Sequence, residues 1–481
     1  MFKLNRKKII LISVLIIFAF FIGLRIFYIF TKQPSVDEIA VGYEAFSILK
    51  TGADRNGNFF PAHFYNFGWG ENITLSLILI PLIKLFGLST LIVRTPVFIA
   101  SLLSIFFTYL LGKELFNKKI GVISALLLTA SPWHIYVSTT GYNVCLLPFF
   151  YTAIIYCLIK FFKEKKHFYF YISTIISAIT FYTYALSFLW IPLIYLIFFF
   201  INKKEIFSNK KIILLNLLIL IILISPIAIF YLQNQFQLLN YEKFGPFGLP
   251  DLEKTRLDMV SIFNNPLIFA SNFIIQYFIH IFTLCFALMI IKYSFIPLGG
   301  IYFFEILFIL YGIKEIIKKR KNEKKYQLLL LWFLLAPLPV CFTLFCADNP
   351  SIIHPLRSIH FLPLLQIIGA VGIYNIFFNK EKNEKHEHTK IKIIYAITII
   401  MTLHIAMSFF CYYKHNNIFE YQKQKNAQVA VMEFVQDNQK QYDKIIISDD
   451  IRYLFFAFFL KIDPEITQKI NNKNADYSNK Y

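Results

Sequence analysis

The sequence predicts an α-helical polytopic membrane protein with about eleven transmembrane helices, long outer loops and a small α/β C-terminal segment outside the membrane. Three observations predict it. The first is composition: of 481 residues, 57% are apolar, 19% aromatic and only 16% charged, whereas a water-soluble domain carries roughly 25% charged residues. The second is a series of apolar runs of the length a bilayer needs, ~20 residues at 1.5 Å each. The third is the placement of basic residues between those runs. Disordered, collagen-like and disulfide-scaffold classes are excluded by the same composition.

In chain order the runs fall at about 9–30, 91–111, 120–138, 144–162, 168–186, 187–202, 212–232, 299–313, 327–345, 361–378 and 393–413. The first follows Lys7 and Lys8 as a signal peptide would. It is too long for such a segment and no small-residue cleavage site follows, so it reads as a retained anchor. One alternating set of segments then collects 27 of the 48 Lys and Arg but only eight of the 28 acids, +19 of the formal +20. These are the N-terminus and the stretches at 113–119, 160–166, 203–211, 314–325 and 380–392. Lys and Arg are retained on the cytoplasmic side, which places the N-terminus inside and, after eleven crossings, the C-terminus outside. The run 267–291 is apolar enough to cross, but crossing would export the seven bases of 314–325. It is therefore predicted to lie along the outer interface, with Tyr277, His280 and Tyr293 at headgroup level.

This arrangement gives a transmembrane unit at 1–413, with outer segments at about 31–90, 233–298 and 346–360, and a C-terminal segment at 414–481. The tail has a helical stretch near 422–439, a strand at 444–448 (KIIIS), and Asp449-Asp450 opening a Phe-rich helix. It is short for an independent domain, so it is expected to pack on the outer loops. The basic residues form no helical face or aromatic-lined groove of the kind nucleic acid needs. Cys145, Cys157, Cys285, Cys341, Cys346 and Cys411 show no metal or redox spacing and read as small apolar fillers.

The first outer segment carries the chemistry. Ser35 caps a predicted helix whose first turn holds Asp37 and Glu38, acids favoured there by the helix dipole. Val36, Ile39, Tyr43, Phe46 and Leu49 make an apolar stripe, which predicts a helix lying on the membrane surface. Thr51-Gly52 ends it, and Asn56-Gly57 signals a tight turn. Two roles are open for the acidic pair. They are first-turn acids on a solvated face, or they are carboxylates set where headgroups meet water, able to take a hydroxyl proton or to steady a divalent metal. Arg25, Arg94 and Arg357 stand at the outer ends of their runs. Arginine there is costly unless it is paired or binds a ligand, and its planar fork suits phosphate. His134 and His280 also lie toward the outer side, as metal ligands or as hydrogen-bonded interface residues.

The run of residues from Arg25 through Pro34-Ser-Val-Asp37-Glu38, Gly42-Tyr43, Leu49-Lys50-Thr51-Gly52-Ala-Asp54 and Gly57-Asn58-Phe-Phe-Pro61 resembles the multi-spanning bacterial glycosyltransferases of GT-C fold. These are related to protein O-mannosyltransferases and lipid A aminoarabinose transferase. Val93-Arg94-Thr-Pro96, Ser131-Pro132-Trp133-His134, His354-Pro-Leu-Arg357-Ser and the tail's Tyr442-Asp443-Lys444 and Asp463-Pro464 share the resemblance. It implies transfer of a sugar from a polyprenyl-phosphate carrier to a protein, lipid or glycan acceptor of the cell envelope, with inversion at the anomeric carbon. It also implies Asp37 as the base, Glu38 as its partner or a metal ligand, and Arg94, His354, Arg357 and Arg25 as ligands of the carrier phosphate. Two departures from the family pattern are visible. The loop after the third run offers Thr139 and Asn143 where relatives have Arg and Glu, and Glu71-Asn72-Ile73 replaces a Lys-Pro-Pro stretch. Such loops shape contacts to acceptor and carrier, which makes Asn143 and Glu71 candidates for that role.

The main rival is a transporter or flippase of lipid-linked sugars. Transporters place ionisable groups at mid-membrane on broken helices that repeat between halves. Here Arg25 and Glu305 lie toward outer ends, and Pro192, Pro226, Pro337 and Pro339 do not repeat.

Overall fold

A computed structural model describes residues 6–66, 69–236, 242–252, 266–285, 301–341, 356–378, 420–442 and 453–471, with 239, 403, 445 and 446. The chain opens with α1 (Arg6–Thr31), then α2 (Val36–Thr51) and a two-stranded antiparallel hairpin, β1 (Phe64–Asn66) and β2 (Trp69–Glu71). A run of helices follows: α3 (Thr74–Phe86), α4 (Thr90–Leu115), α5 (Lys118–Ala130), α6 (Pro132–Ser138), α7 (Leu147–Glu164), α8 (His167–Phe181), α9 (Ser187–Ile201), α10 (Lys203–Ser208) and α11 (Lys210–Phe236). A second small hairpin, β3 (Lys243–Phe244) and β4 (Phe247–Gly248), precedes α12 (Pro266–Cys285), α13 (Phe303–Lys319), α14 (Lys324–Leu335), α15 (Leu338–Cys341) and α16 (Leu364–Phe377). The tail holds α17 (Glu420–Asn438), α18 (Tyr453–Phe459) and α19 (Pro464–Asn471).

The molecule is a multi-pass membrane protein. Among the described residues, α1, α4, α7, α11 and α16 contain stretches long and apolar enough to cross, and α5 with α6 makes a sixth apolar stretch, bent by 66° into a broken span or a re-entrant loop. The bend falls at Ser131-Pro132, inside the run at 120–138. Pro132 takes the first helical position of α6, and the Ser131 hydroxyl accepts from the His134 N–H, so the break is a cap rather than a kink. Helices α8 and α9 have 15 residues each, about 22 Å at 1.5 Å per residue, short of a ~30 Å hydrocarbon core. The run at 393–413 lies outside the described residues apart from Leu403.

Small residues set the close helix contacts. A Cβ on Gly112 of α4 would lie 2.7 Å from the Gly121 Cα of α5, and one on Gly372 of α16 only 2.0 Å from the Phe308 carbonyl of α13. Lipid tails are as apolar as leucine, so association in the bilayer depends on this kind of backbone approach. One side of α1 faces outward through Leu15, Ile16 and Phe20, while Phe21, Leu24, Arg25 and Tyr28 turn inward.

Helix α2 differs from the expected surface helix. It is buried on nearly every side, including Ile39, Ala40, Tyr43, Glu44 and Ser47, and is enclosed by α3, α4, α18 and α19. The apolar stripe was legible, but the cover on the opposite face comes from the C-terminal segment, more than 400 residues away. That segment packs on α2 and on the turn that follows it. Gln468 Nε2 lies 2.8 Å from Thr51 Oγ1 and 2.9 Å from the Asp54 carbonyl, and the Tyr43 hydroxyl donates to the Ile462 carbonyl at 2.9 Å. The described part of the tail is helical. The expected strand at 444–448 and the Asp449-Asp450 cap fall on residues outside the description, Ile445 and Ile446 excepted.

Candidate active site at the C-terminal end of the first helix

The site is built where α1 ends and α2 begins. Ser35 is extended, and its hydroxyl accepts from the Glu38 N–H at 3.2 Å while the Glu38 carboxylate accepts from the Ser35 N–H at 2.9 Å. This reciprocal capping box satisfies two donors that a helix start otherwise leaves open. Gly52, at φ 75°, ends the helix in the left-handed conformation that favours glycine. The capping residue, both first-turn acids and the stop are as the local sequence predicts.

The two acids then part company. Glu38 is only 2% exposed, and both of its oxygens are engaged. Oε1 accepts from Arg94 Nε at 2.8 Å and from the Gly141 N–H at 2.8 Å; Oε2 accepts from Arg94 Nη2 at 3.2 Å besides the Ser35 N–H. Burial alone would raise this carboxyl, but the Arg94 guanidinium, with Lys32 and the Gly141 N–H, pulls it down to about 2. Asp37, beside it, is exposed and takes no part in this clamp. The Tyr142 phenol lies close by: burial first, and the Asp37 charge second, push it well above its usual range, and Ser35 is within hydrogen-bond reach.

Arg94, expected to hold a carrier phosphate, is 1% exposed and has another job here. Besides the fork on Glu38, its Nη1 donates to the Ile29 and Lys32 carbonyls at 2.7 and 2.8 Å. Four of its five N–H groups are thus engaged within the protein, and the residue ties α4 to the end of α1 and the start of α2. Arg25, expected in the same role, is fully buried one turn below. It donates to the Phe21 carbonyl at 2.9 Å and pairs with His134 Nδ1 at 3.1 Å. Arg357 is half-buried, and His354 lies outside the described residues.

Glu38 as a metal ligand does not fit either. A carboxylate offers about four lone-pair sites, and four N–H groups already fill them. Among the described residues no group of three or more His, Cys, Asp or Glu is placed to hold a metal ion. His280 makes a 2.7 Å bond from Nδ1 to the Gln276 carbonyl. The loop candidates are structural ties: Asn143 accepts from the Leu75 N–H at 2.8 Å and donates to the Asn72 carbonyl at 2.8 Å, joining the end of the 139–143 loop to the start of α3. Glu71 accepts from Asn66 Nδ2 at 2.5 Å, and Asn66 in turn accepts from Arg55. Arg55 and Glu44 form a buried ion pair, Nε to Oε1 3.1 Å, beneath the 54–58 turn.

Lys32 was not singled out from the sequence. It follows α1 directly, its Nζ bonds Thr140 Oγ1, and the ammonium sits 4.9 Å over the Tyr136 ring. Its position just before a proline-led loop was visible; its meeting with a loop 108 residues later was not.

The segment 74–230, which runs from α3 through most of α11, matches the family model described as dolichyl-phosphate-mannose-protein mannosyltransferase. No curated protein matches the chain significantly in sequence. Among solved structures, ArnT from Cupriavidus metallidurans bound to undecaprenyl phosphate superposes with a TM-score of 0.52 at 9% identity, covering 95% of this chain and 77% of that one. The Archaeoglobus fulgidus oligosaccharyltransferase in complex with Zn and sulfate gives 0.51 at 15% identity, covering 82% of this chain. The same enzyme tethered to an acceptor peptide gives 0.50 at 13% identity and 94% coverage. This chain spans only 52% and 63% of those two oligosaccharyltransferase chains. The chain is thus a multi-pass membrane protein with the GT-C fold, and its residues 74–230 are similar to the dolichyl-phosphate-mannose-protein mannosyltransferase family.

Proposed function

We propose that the protein is a membrane glycosyltransferase that moves a sugar from a polyprenyl-phosphate carrier to a protein, lipid or glycan acceptor on the extracytoplasmic side, with inversion. The observation that carries this reading is the division of labour between two adjacent acids. Glu38 is locked by Arg94 and Gly141, and Asp37 is left exposed beside Tyr142. A single displacement needs one base to take the acceptor proton as the new bond forms, and Asp37 is the residue we assign to that role. Glu38 and Arg94 are positioning residues that fix the first turn of α2 against α1, α4 and the 139–143 loop. Arg357 and His354 are the proposed ligands of the carrier phosphate. The proposed orientation is eleven crossings with the N-terminus cytoplasmic and the 414–481 tail outside.

The family match and the ArnT likeness support the reading, since that ArnT structure has undecaprenyl phosphate bound. The test is transfer of radiolabelled sugar from polyprenyl phosphate into membrane acceptors by purified protein in proteoliposomes. Label that enters acceptor in a protein-dependent way supports a transferase. Label that crosses the bilayer still attached to its carrier would favour the flippase reading.

A further inference from the structure

We propose that Lys32 binds the phosphate of the polyprenyl-linked donor and faces the charge that develops there as the sugar leaves. This inference rests on the function proposed above and adds a residue to its site.

The first ground is how firmly this amine is held. The Lys32 N–H donates to the Tyr28 carbonyl at 3.0 Å, and its own carbonyl accepts from Arg94 Nη1 at 2.8 Å. The backbone is therefore fixed by the residue that also clamps Glu38. Nζ bonds Thr140 Oγ1, which itself donates to the Tyr136 carbonyl at 2.9 Å, and the ammonium lies 4.9 Å over the Tyr136 ring. The next residue after Thr140 supplies the N–H on Glu38, and the one after that is Tyr142. Lys32 and Asp37 thus flank one short turn and share one loop as their wall. Tyr142 and Tyr136 line that wall, and Lys32 is near enough to Glu38 to help lower its carboxyl.

The second ground is the state of three arginines around this turn. Arg94 is held by Glu38 and two carbonyls, Arg25 by His134 and Phe21, and Arg55 by Glu44 and Asn66. All three are at most 2% exposed. Lys32 is partly exposed. An ammonium is a compact charge with three rotatable donors and binds phosphate as a point charge.

The acceptor O–H breaks and its proton passes to the Asp37 carboxylate. The acceptor oxygen bonds the anomeric carbon, and the bond from that carbon to the phosphate oxygen breaks. Its electron pair stays on the phosphate, which changes from a singly charged diester to a monoester with one more negative charge. Lys32 keeps its proton throughout and faces that added charge.

Binding of a short-chain polyprenyl phosphate and of the matching polyprenol to the full chain in phosphatidylcholine nanodiscs tests this. Wild type is expected to prefer the phosphate. Lys32→Met should lose about tenfold or more of that preference, as removal of a charge-assisted bond implies, with polyprenol binding unchanged. Lys32→Gln keeps the bond to Thr140 without the charge and should lose as much, whereas Lys32→Arg should retain most of it. A full phosphate preference in Lys32→Met, or in Lys32→Gln where the methionine variant does not fold, overturns the inference and leaves the proposed function standing. A wild type that binds phosphate and alcohol alike would instead overturn the proposed function. Inorganic phosphate competing as well as the lipid would show that Lys32 serves free phosphate, which also overturns the inference.

Discussion

Asp37 and Glu38 are neighbours in sequence and opposites in environment. Local sequence makes both of them first-turn acids. The fold buries one against an arginine 56 residues away and leaves the other in water. That pairing sets a pH dependence. A carboxyl depressed from 4.5 to about 2 favours the folded form while it is ionised in the folded state. Its contribution is complete above about pH 4.5, declines as pH falls, and is gone below about pH 2, with an upper bound of about 3 kcal/mol. Thermal unfolding scans between pH 7 and 2 should therefore show a steeper acid decline in wild type than in Glu38→Gln. Parallel declines would mean that the clamp adds no stability. The capping box and the Gly52 stop were legible in sequence because each is a local device. The Arg94 fork and the Lys32–Thr140 bond were not, because they join segments that only the tertiary fold brings together.

At the scale of elements, α2 is held by parts of the chain from both ends. Gly42 marks the closest approach: a Cβ there would lie 2.7 Å from both Phe458 Cε2 of α18 and Val93 Cγ2 of α4. Gly42→Ala must push one of these apart, and overpacking of this kind typically costs about 1–3 kcal/mol. We expect a lowered melting temperature together with a slower transferase, because α2 carries Asp37. An unchanged melting temperature would show that α18 yields freely. Gln468→Ala, which releases the 47–54 turn, should act in the same direction and more weakly, about 1 kcal/mol for a neutral hydrogen bond. The run at 120–138 was legible as apolar, and Ser131-Pro132 was legible as a helix start. The division of the run into two helices at the capped Pro132 shows only in the structure.

For the whole molecule, composition and charge placement carry most of the information. A chain with 16% charged residues and +19 of its +20 on alternating segments reads as a membrane protein and predicts a sidedness before any motif is read. Cysteine labelling with an impermeant reagent in intact cells checks the sidedness. Asn471→Cys in the tail should react and Asn322→Cys should not; the reverse pattern would invert the topology and move the acidic pair to the cytoplasmic face. The family resemblance was legible from the order of short motifs, none of them decisive alone. Which residues of those motifs are buried and which are exposed was not legible, because segments distant in sequence supply the cover.

The measurement that most directly tests the account compares Asp37→Asn and Glu38→Gln in one preparation, reading sugar transfer from polyprenyl phosphate and thermal unfolding together. The account predicts that Asp37→Asn loses about 10²–10⁴ in rate, the usual contribution of a positioned base, with its melting temperature unchanged. Glu38→Gln should lose rate and stability together. Near-normal transfer by Asp37→Asn, with activity abolished in a fully stable Glu38→Gln, would contradict it and make Glu38 the catalytic acid.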